Sequence, residues 1–186
     1  MGDTFQTIVD RDASPQDAPR LAERVVEWLV AEGIVLAEAE PGWALGDHPA
    51  HPPGPHWQKA VEDARWGAPE GVAVYTEHHI FFSNWAPGPP TVTCPRCENT
   101  ITAEDDAWPR FDEPVDAWYK TGTADVECPA CAESVPLTAW DWSHDHLALV
   151  HLGFEFWNWP PLSEEFRARM AELLGGHRTA FLPGKI

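Results

Sequence analysis

The placement of four cysteines constrains this chain more than any other feature. They form two matched hooks, Cys94-Pro95-Arg96-Cys97 and Cys128-Pro129-Ala130-Cys131, and they are all the cysteines of the 186-residue sequence. Each hook lets one short turn offer two thiolates, and two hooks complete a tetrahedral shell around one cation. Proline after the first cysteine stiffens the turn and leaves the following backbone N–H groups free to face sulfur. Four thiolates suit Zn²⁺, or Fe in a sulfur-only site, and exclude oxygen-seeking ions. The expectation is one Cys₄ centre with Cys94, Cys97, Cys128 and Cys131 as ligands.

Two alternatives compete with a shared metal. Disulfides belong chiefly to small secreted domains. The opening Gly2-Asp3-Thr4-Phe5-Gln6 has neither the basic start nor the apolar run of a secretory signal. A redox C-x-x-C normally occurs once, near a βαβ unit, and not as a matched pair.

The two CPxC hooks resemble those of a zinc ribbon, and the 30-residue gap between Cys97 and Cys128 is also similar to rubredoxin spacing. The resemblance covers about a fifth of the chain. It implies two strand-fed turns closed by a structural Zn²⁺, or, on the rubredoxin side, by an electron-carrying iron. Both families usually place Gly after the second cysteine of each hook, where φ is positive; here Glu98 and Ala132 stand there. The aromatic and acidic signature that follows the first rubredoxin hook is missing as well, so zinc is preferred to iron.

Charge then narrows the partner. The formal net charge is −18, spread as −9 over residues 1–93, −6 over 94–131 and −3 over 132–186. Binding a phosphate backbone needs clustered Lys and Arg, so the nucleic-acid role usual for zinc ribbons is disfavoured. An acidic surface favours basic or neutral partners. Eleven tryptophans add capacity for aromatic contacts. No stretch is long and apolar enough to cross a bilayer, and a cytoplasmic location is expected.

The flanking sequence predicts an α+β fold: a mixed sheet with two main helices, plus the Cys₄ ribbon inserted or attached. Thr4–Val9 reads as a first strand. A helix is expected from Asp17, with Leu21, Val25, Trp28 and Leu29 as its buried stripe, Gly33 as its stop and Ile34-Val35-Leu36 as the next strand. Trp57–Arg65 reads as a short helix, and Val72–Tyr75 and Ile80–Phe82 as strands. Asp112 is expected to cap a helix within the ribbon, stopped by Gly122. Leu147–Trp157 reads as one central strand. Ser163 caps a further helix striped by Phe166, Met170, Leu173 and Leu174, and Arg178–Leu182 forms the last strand. The expected division is residues 1–90, a ribbon at 91–139, and 140–186 completing the first core.

Two functional readings follow. One is a non-catalytic, zinc-stabilised cytoplasmic protein that binds a protein partner, because a closed Cys₄ shell leaves no open coordination position. Its expected binding surface is drawn from Trp142, His144, His146, Trp157 and Asn158. Trp140, Trp142, His144 and His146 are expected to share one strand face. The other is an enzyme of the metal-dependent hydrolase type, using His144, His146, His151 and Glu155, or His48, His51 and His56 with Asp47. No H-E-x-x-H, nucleophile elbow or phosphate-cradling Gly loop supports it.

Overall fold

The computed structural model describes residues 2–67 and 69–186. Strand β1 (Thr4–Asp10) opens the chain and is buried from Phe5 onward, because it pairs on both sides. Helix α1 (Ala18–Ala31) follows, with Asp17 at its N-cap and Pro19 in its first turn, where the missing N–H costs nothing. Its stripe of Leu21, Val25 and Leu29 is buried, contributing roughly 2 kcal/mol per side chain. Gly33 at φ +70° ends it. The expected strand at Ile34–Leu36 does not form. The N–H groups of Ile34 and Val35 turn back onto the Leu29 carbonyl, and Val35 keeps only an isolated bridge to Pro53. The chain leaves α1 by satisfying its last carbonyls, which consumes the donors a strand would need.

Short strands β2 (Ala50–His51), β3 (Val72–Tyr75) and β4 (His79–Phe82) come next. Between β2 and β3 the expected helix at Trp57–Arg65 resolves into two single 3₁₀ turns, Trp57–Ala60 and Ala64–Trp66. The middle of the chain holds β5 (Thr91–Thr93), β6 (Thr100–Thr102), α2 (Asp112–Thr121), β7 (Asp125–Glu127), β8 (Ser134–Pro136) and β9 (Asp141–Trp142). The last part comprises β10 (Leu147–Val150), β11 (Leu152–Trp157), α3 (Glu164–Leu173) and β12 (Thr179–Lys185).

The main sheet has the order β12-β1-β11-β3-β2, and every pairing in it is antiparallel. The class is α+β, but the sheet is not mixed as the sequence implied. A strand–helix–strand reading presumes a parallel crossover beside the first strand. Here the chain leaving α1 runs to the far edge, and β1 is flanked by β11 and β12 instead.

The two faces of this sheet are covered differently. On one, Ile8, Val72, Leu152, Phe154 and Phe156 pack against α1 and α3 in the largest core cluster. Ser163 Oγ accepts the Phe166 N–H at the start of α3, and Phe166 and Met170 face inward. On the other, Val9, Ala180 and Leu182 meet Phe81, Ala148 and Val150 of the β4–β10 ribbon. The ribbon approaches so closely that a Cβ on Gly153 would lie 2.4 Å from the Phe81 ring. Leu147–Trp157 is therefore two strands of two layers, broken at His151, and not one central strand. Both halves are buried, so apolar periodicity carries no sign of the break.

Candidate metal centre

Each hook sits at the tip of a three-residue hairpin. Strands β5 and β6 pair Val92 with Ile101, and β7 and β8 pair Val126 with Val135. Within each turn the same bonds recur. Cys94 N–H donates to Asn99 O and Glu98 N–H to Cys94 O; Cys128 N–H donates to Glu133 O and Ala132 N–H to Cys128 O. The likeness is written in the sequence as a repeat that cysteine spacing alone does not expose. Val-x-Cys-Pro-x-Cys-x-x-Thr-Ile at 92–101 returns as Val-x-Cys-Pro-x-Cys-x-x-Ser-Val at 126–135.

Glu98 and Ala132 occupy φ +60° and +59°, the left-handed position usually filled by Gly in such hooks. The turn geometry is kept despite the side chains, at a cost of about 1 kcal/mol each.

The four Sγ atoms lie within 4.8 Å of one another, and Cys97 Sγ is 3.6 Å from Cys128 Sγ. A tetrahedral ion with metal–sulfur distances near 2.3 Å spaces its sulfurs roughly 3.8 Å apart, so the donor set and its spacing fit a metal ion. Cys94 and Cys128 are buried, Cys131 is half-buried and Cys97 is exposed. For Cys128 burial opposes ionisation, but N–H groups of Cys131 and Ala130 and the neighbouring thiols outweigh it, bringing the pKa to about 7. Backbone N–H groups thus point at sulfur where thiolate charge develops.

The hairpins close over their own core, in which Phe111, Trp118, Trp140 and Trp142 are buried beside Val92 and Val126. β9 pairs with β5, joining Trp142 to Val92 and Asp141 to Thr93. Helix α2 lies between the two hairpins in chain order. Asp112 does not cap it: a 3₁₀ turn at Trp108–Phe111 runs directly into the helix and leaves Phe111 at the N-cap. Gly122, at φ +72°, stops it as expected.

The structure separates the other predicted site residues. Trp140, Trp142, His144 and His146 share no strand face, because β9 has two residues and a tight turn follows with His144 at φ +51° and Asp145 at φ +53°. Arg11 pairs with Asp145 at 2.5 Å and holds that turn to the main sheet. Trp142 and His146 line one cavity of about 480 Å³, whereas His144 is exposed and points to no partner among the described residues. Trp157 is buried in the body of the protein. Asn158 lines a second cavity of about 580 Å³ with Trp85 and Phe181. It also has a local structural role: at φ +54° it accepts the Thr4 N–H and donates to Asp3, fixing the start of β1.

Among the described residues, no three histidines come close enough to share a metal ion. His51 donates to Leu36 O, His78 to Tyr119 O, and His151 lies against Trp118. A Cβ on Gly33 would meet the His56 ring, so His56 packs there, away from His48. Among the described residues, the four cysteines are the only group of three or more His, Cys, Asp or Glu side chains able to share a metal ion.

Glu155 joins a different set from the one expected. It is 9% exposed, and its carboxylate accepts hydroxyls from Thr7 and Tyr75 at 3.3 Å each. Burial raises its pKa against the opposing effect of these hydroxyls, and burial beside Glu155 raises that of Tyr75. His48 and His79 both stack on the Tyr75 ring, at 4.2 and 4.4 Å between centroids. Burial, and the nearby His48 and His78, lower the pKa of His79. Alternation along β1, β3 and β11 puts Thr7, Tyr75 and Glu155 on one face, a signal available only once the register is known.

Trp108, Phe111, Asp112 and Asp116 also line the cavity at Trp142, and sequence reasoning assigned none of them to a site. Their spacing around the start of α2 was the available clue, with Asp112 and Asp116 one turn apart. No helix among the described residues is long and apolar enough to cross a membrane. Comparisons with protein-family models, with characterised proteins and with solved structures returned no match, so function is argued from this geometry alone.

Proposed function

We propose that the chain is a zinc-stabilised, non-catalytic interaction protein of the cytoplasm that meets a basic protein partner through an acidic and aromatic surface. The convergence of four thiols carries this reading. A Zn²⁺ held by four sulfurs has no position left for water or substrate, so its binding energy serves folding. The short hairpins of this unit, three residues per strand, need such a clasp. Reduced thiols persist in a reducing compartment, which supports the cytoplasm. The charge of −18 and the scarcity of Lys and Arg support a basic protein over a nucleic acid.

Elemental analysis of protein purified without added metal tests the first step, with one zinc per chain expected. A visible spectrum of the same sample tests iron, since a ferric Cys₄ centre is coloured and a zinc one is colourless. Finding no metal, with stability unchanged by chelators, overturns the proposal.

A further inference from the structure

We propose that the cavity walled by Trp108, Phe111 and Trp142 is a binding site for an alkylammonium cation. The inference rests on the reading of the protein as an acidic interaction module and gives that module a ligand chemistry.

Three rings form the box. Trp108 and Trp142 stand at 85° with centroids 5.8 Å apart, Phe111 and Trp142 at 72° and 5.6 Å, and Trp108 and Phe111 at 47° and 6.0 Å. The half-buried Trp108 and the buried Phe111 and Trp142, packed on one another, give the cavity a rigid aromatic lining against which a compact, round cation can be held by cation–π attraction. A planar guanidinium gains most from parallel stacking, which this arrangement does not offer.

Charge points the same way. Asp112 and Asp116 lie on the rim, one helical turn apart, and no Lys or Arg lines the cavity. Both carboxylates are exposed, and among the described residues neither is ion-paired or hydrogen-bonded by its side chain. The His146 ring donates from Nδ1 to Ser83 O at 3.4 Å, which in the neutral ring leaves Nε2 as an acceptor, and that atom is buried without a partner. A cavity of about 480 Å³ therefore combines an aromatic lining, two uncommitted carboxylates and a lining histidine whose Nε2 has no partner among the described residues. Its volume lies within the ordinary range of ligand sites. The segment 94–131 that carries most of it is net −6 before any metal is counted, and Zn(Cys)₄ would add two further negative charges.

The cation could arrive as a lysine side chain of the basic partner, free or methylated, or as a small quaternary amine. The test uses the full-length, metal-replete protein with ¹⁵N-labelled indoles, titrated to about 50 mM. Choline and its uncharged isostere 3,3-dimethylbutanol are compared first. Choline is expected to shift the Trp108 and Trp142 indole signals, to bind about tenfold more tightly than the isostere, and to weaken as salt rises. Asp112→Asn/Asp116→Asn, two exposed positions, is expected to lose about tenfold in affinity while the signal of buried Trp118 stays in place.

A lysine-containing peptide, unmethylated and trimethylated, and arginine amide complete the set. Tighter binding of either peptide than of choline assigns the site to a protein partner; equal or weaker binding assigns it to a small amine. Equal binding of choline and its isostere, no indole shift at the highest concentration, or tighter binding of arginine amide overturns the proposal. Each of these results on a sample with full metal content leaves the zinc reading standing, whereas missing metal in the same sample defeats that reading by itself.

Discussion

The main sheet and the Cys₄ unit solve the same folding problem with different means. The sheet layer buries a large apolar cluster between five strands and two helices, with β1 and β11 hidden over nearly their whole length. The Cys₄ unit has strands of two or three residues and one ten-residue helix. Its core is built from a few tryptophans and a phenylalanine at edge-to-face angles. An isolated hairpin of that length is marginal in water. The first region is held by apolar area; on the proposed reading, the second is completed by a metal ion that ties its thiolates together. Removing metal and removing core should therefore damage different halves of the molecule.

The largest effect is expected from breaking the thiolate shell. Cys128→Ser, or a strong chelator, should strip amide-exchange protection from β5 to β9 while α1, β1 and β11 stay protected. Structural zinc contributes on the order of 10 kcal/mol at such sites, far more than these short strands hold in reserve. Hydrogen exchange by mass spectrometry reads this directly, and uniform loss across both regions would show that they fold as one unit. Leu29→Ala supplies the converse. Leu29 is 1% exposed between the helices and the sheet, so its truncation should cost about 3–4 kcal/mol. That cost should appear as a lower denaturant midpoint, with zinc affinity changed little.

The two regions also differed in how legible they were. The clustering of the four cysteines could be read from the sequence, because two hooks of matched spacing bring four possible ligands to one point. Helices α1 and α3 were equally plain, since Leu21, Val25 and Leu29 on one, and Phe166 and Met170 on the other, recur at helical period. The sheet was not. Strands β10 and β11 form one apolar run, and only pairing with β4 on one side and β1 on the other divides them. Glu155 was read with histidines near it in sequence, yet its partners Thr7 and Tyr75 come from other strands. Local pattern fixes what a segment is made of; long-range register decides what it touches.

A smaller effect should sharpen the description of the clasp. Glu98 and Ala132 hold left-handed backbone that costs a side chain strain. Replacing either by Gly relieves that strain, and the greater freedom of Gly in the unfolded chain offsets part of the gain. A net stabilisation of up to about 0.5 kcal/mol is expected for each, and if folding and zinc binding are linked as proposed it should appear as up to about twofold tighter zinc binding. Chelator competition measures it. No change in affinity would mean that the hooks relax when the ion binds.

The smallest change at any single pH is expected in the sheet layer, at Glu155, and its signature is a slope. Burial holds the Glu155 carboxyl above its ordinary pKa of 4.5, with the Tyr75 and Thr7 hydroxyls only partly restoring the charged form. A group whose folded pKa is raised favours the fold while it is protonated. Below its ordinary pKa both states carry the proton and the full contribution is present. As pH climbs through the ordinary value toward the folded one, the unfolded chain ionises first and stability is lost. Glu155→Gln keeps the shape and a hydroxyl acceptor but cannot ionise. The variant should therefore gain on the wild type as pH rises through the ordinary value of 4.5 and beyond it. Surface carboxylates such as Asp12, whose pKa is lowered by its bonds to Arg178, act in the opposite sense but equally in both proteins. The difference between the two denaturation midpoints thus isolates Glu155, and a difference that stays flat with pH would show that its carboxyl ionises as freely in the fold as in the unfolded chain.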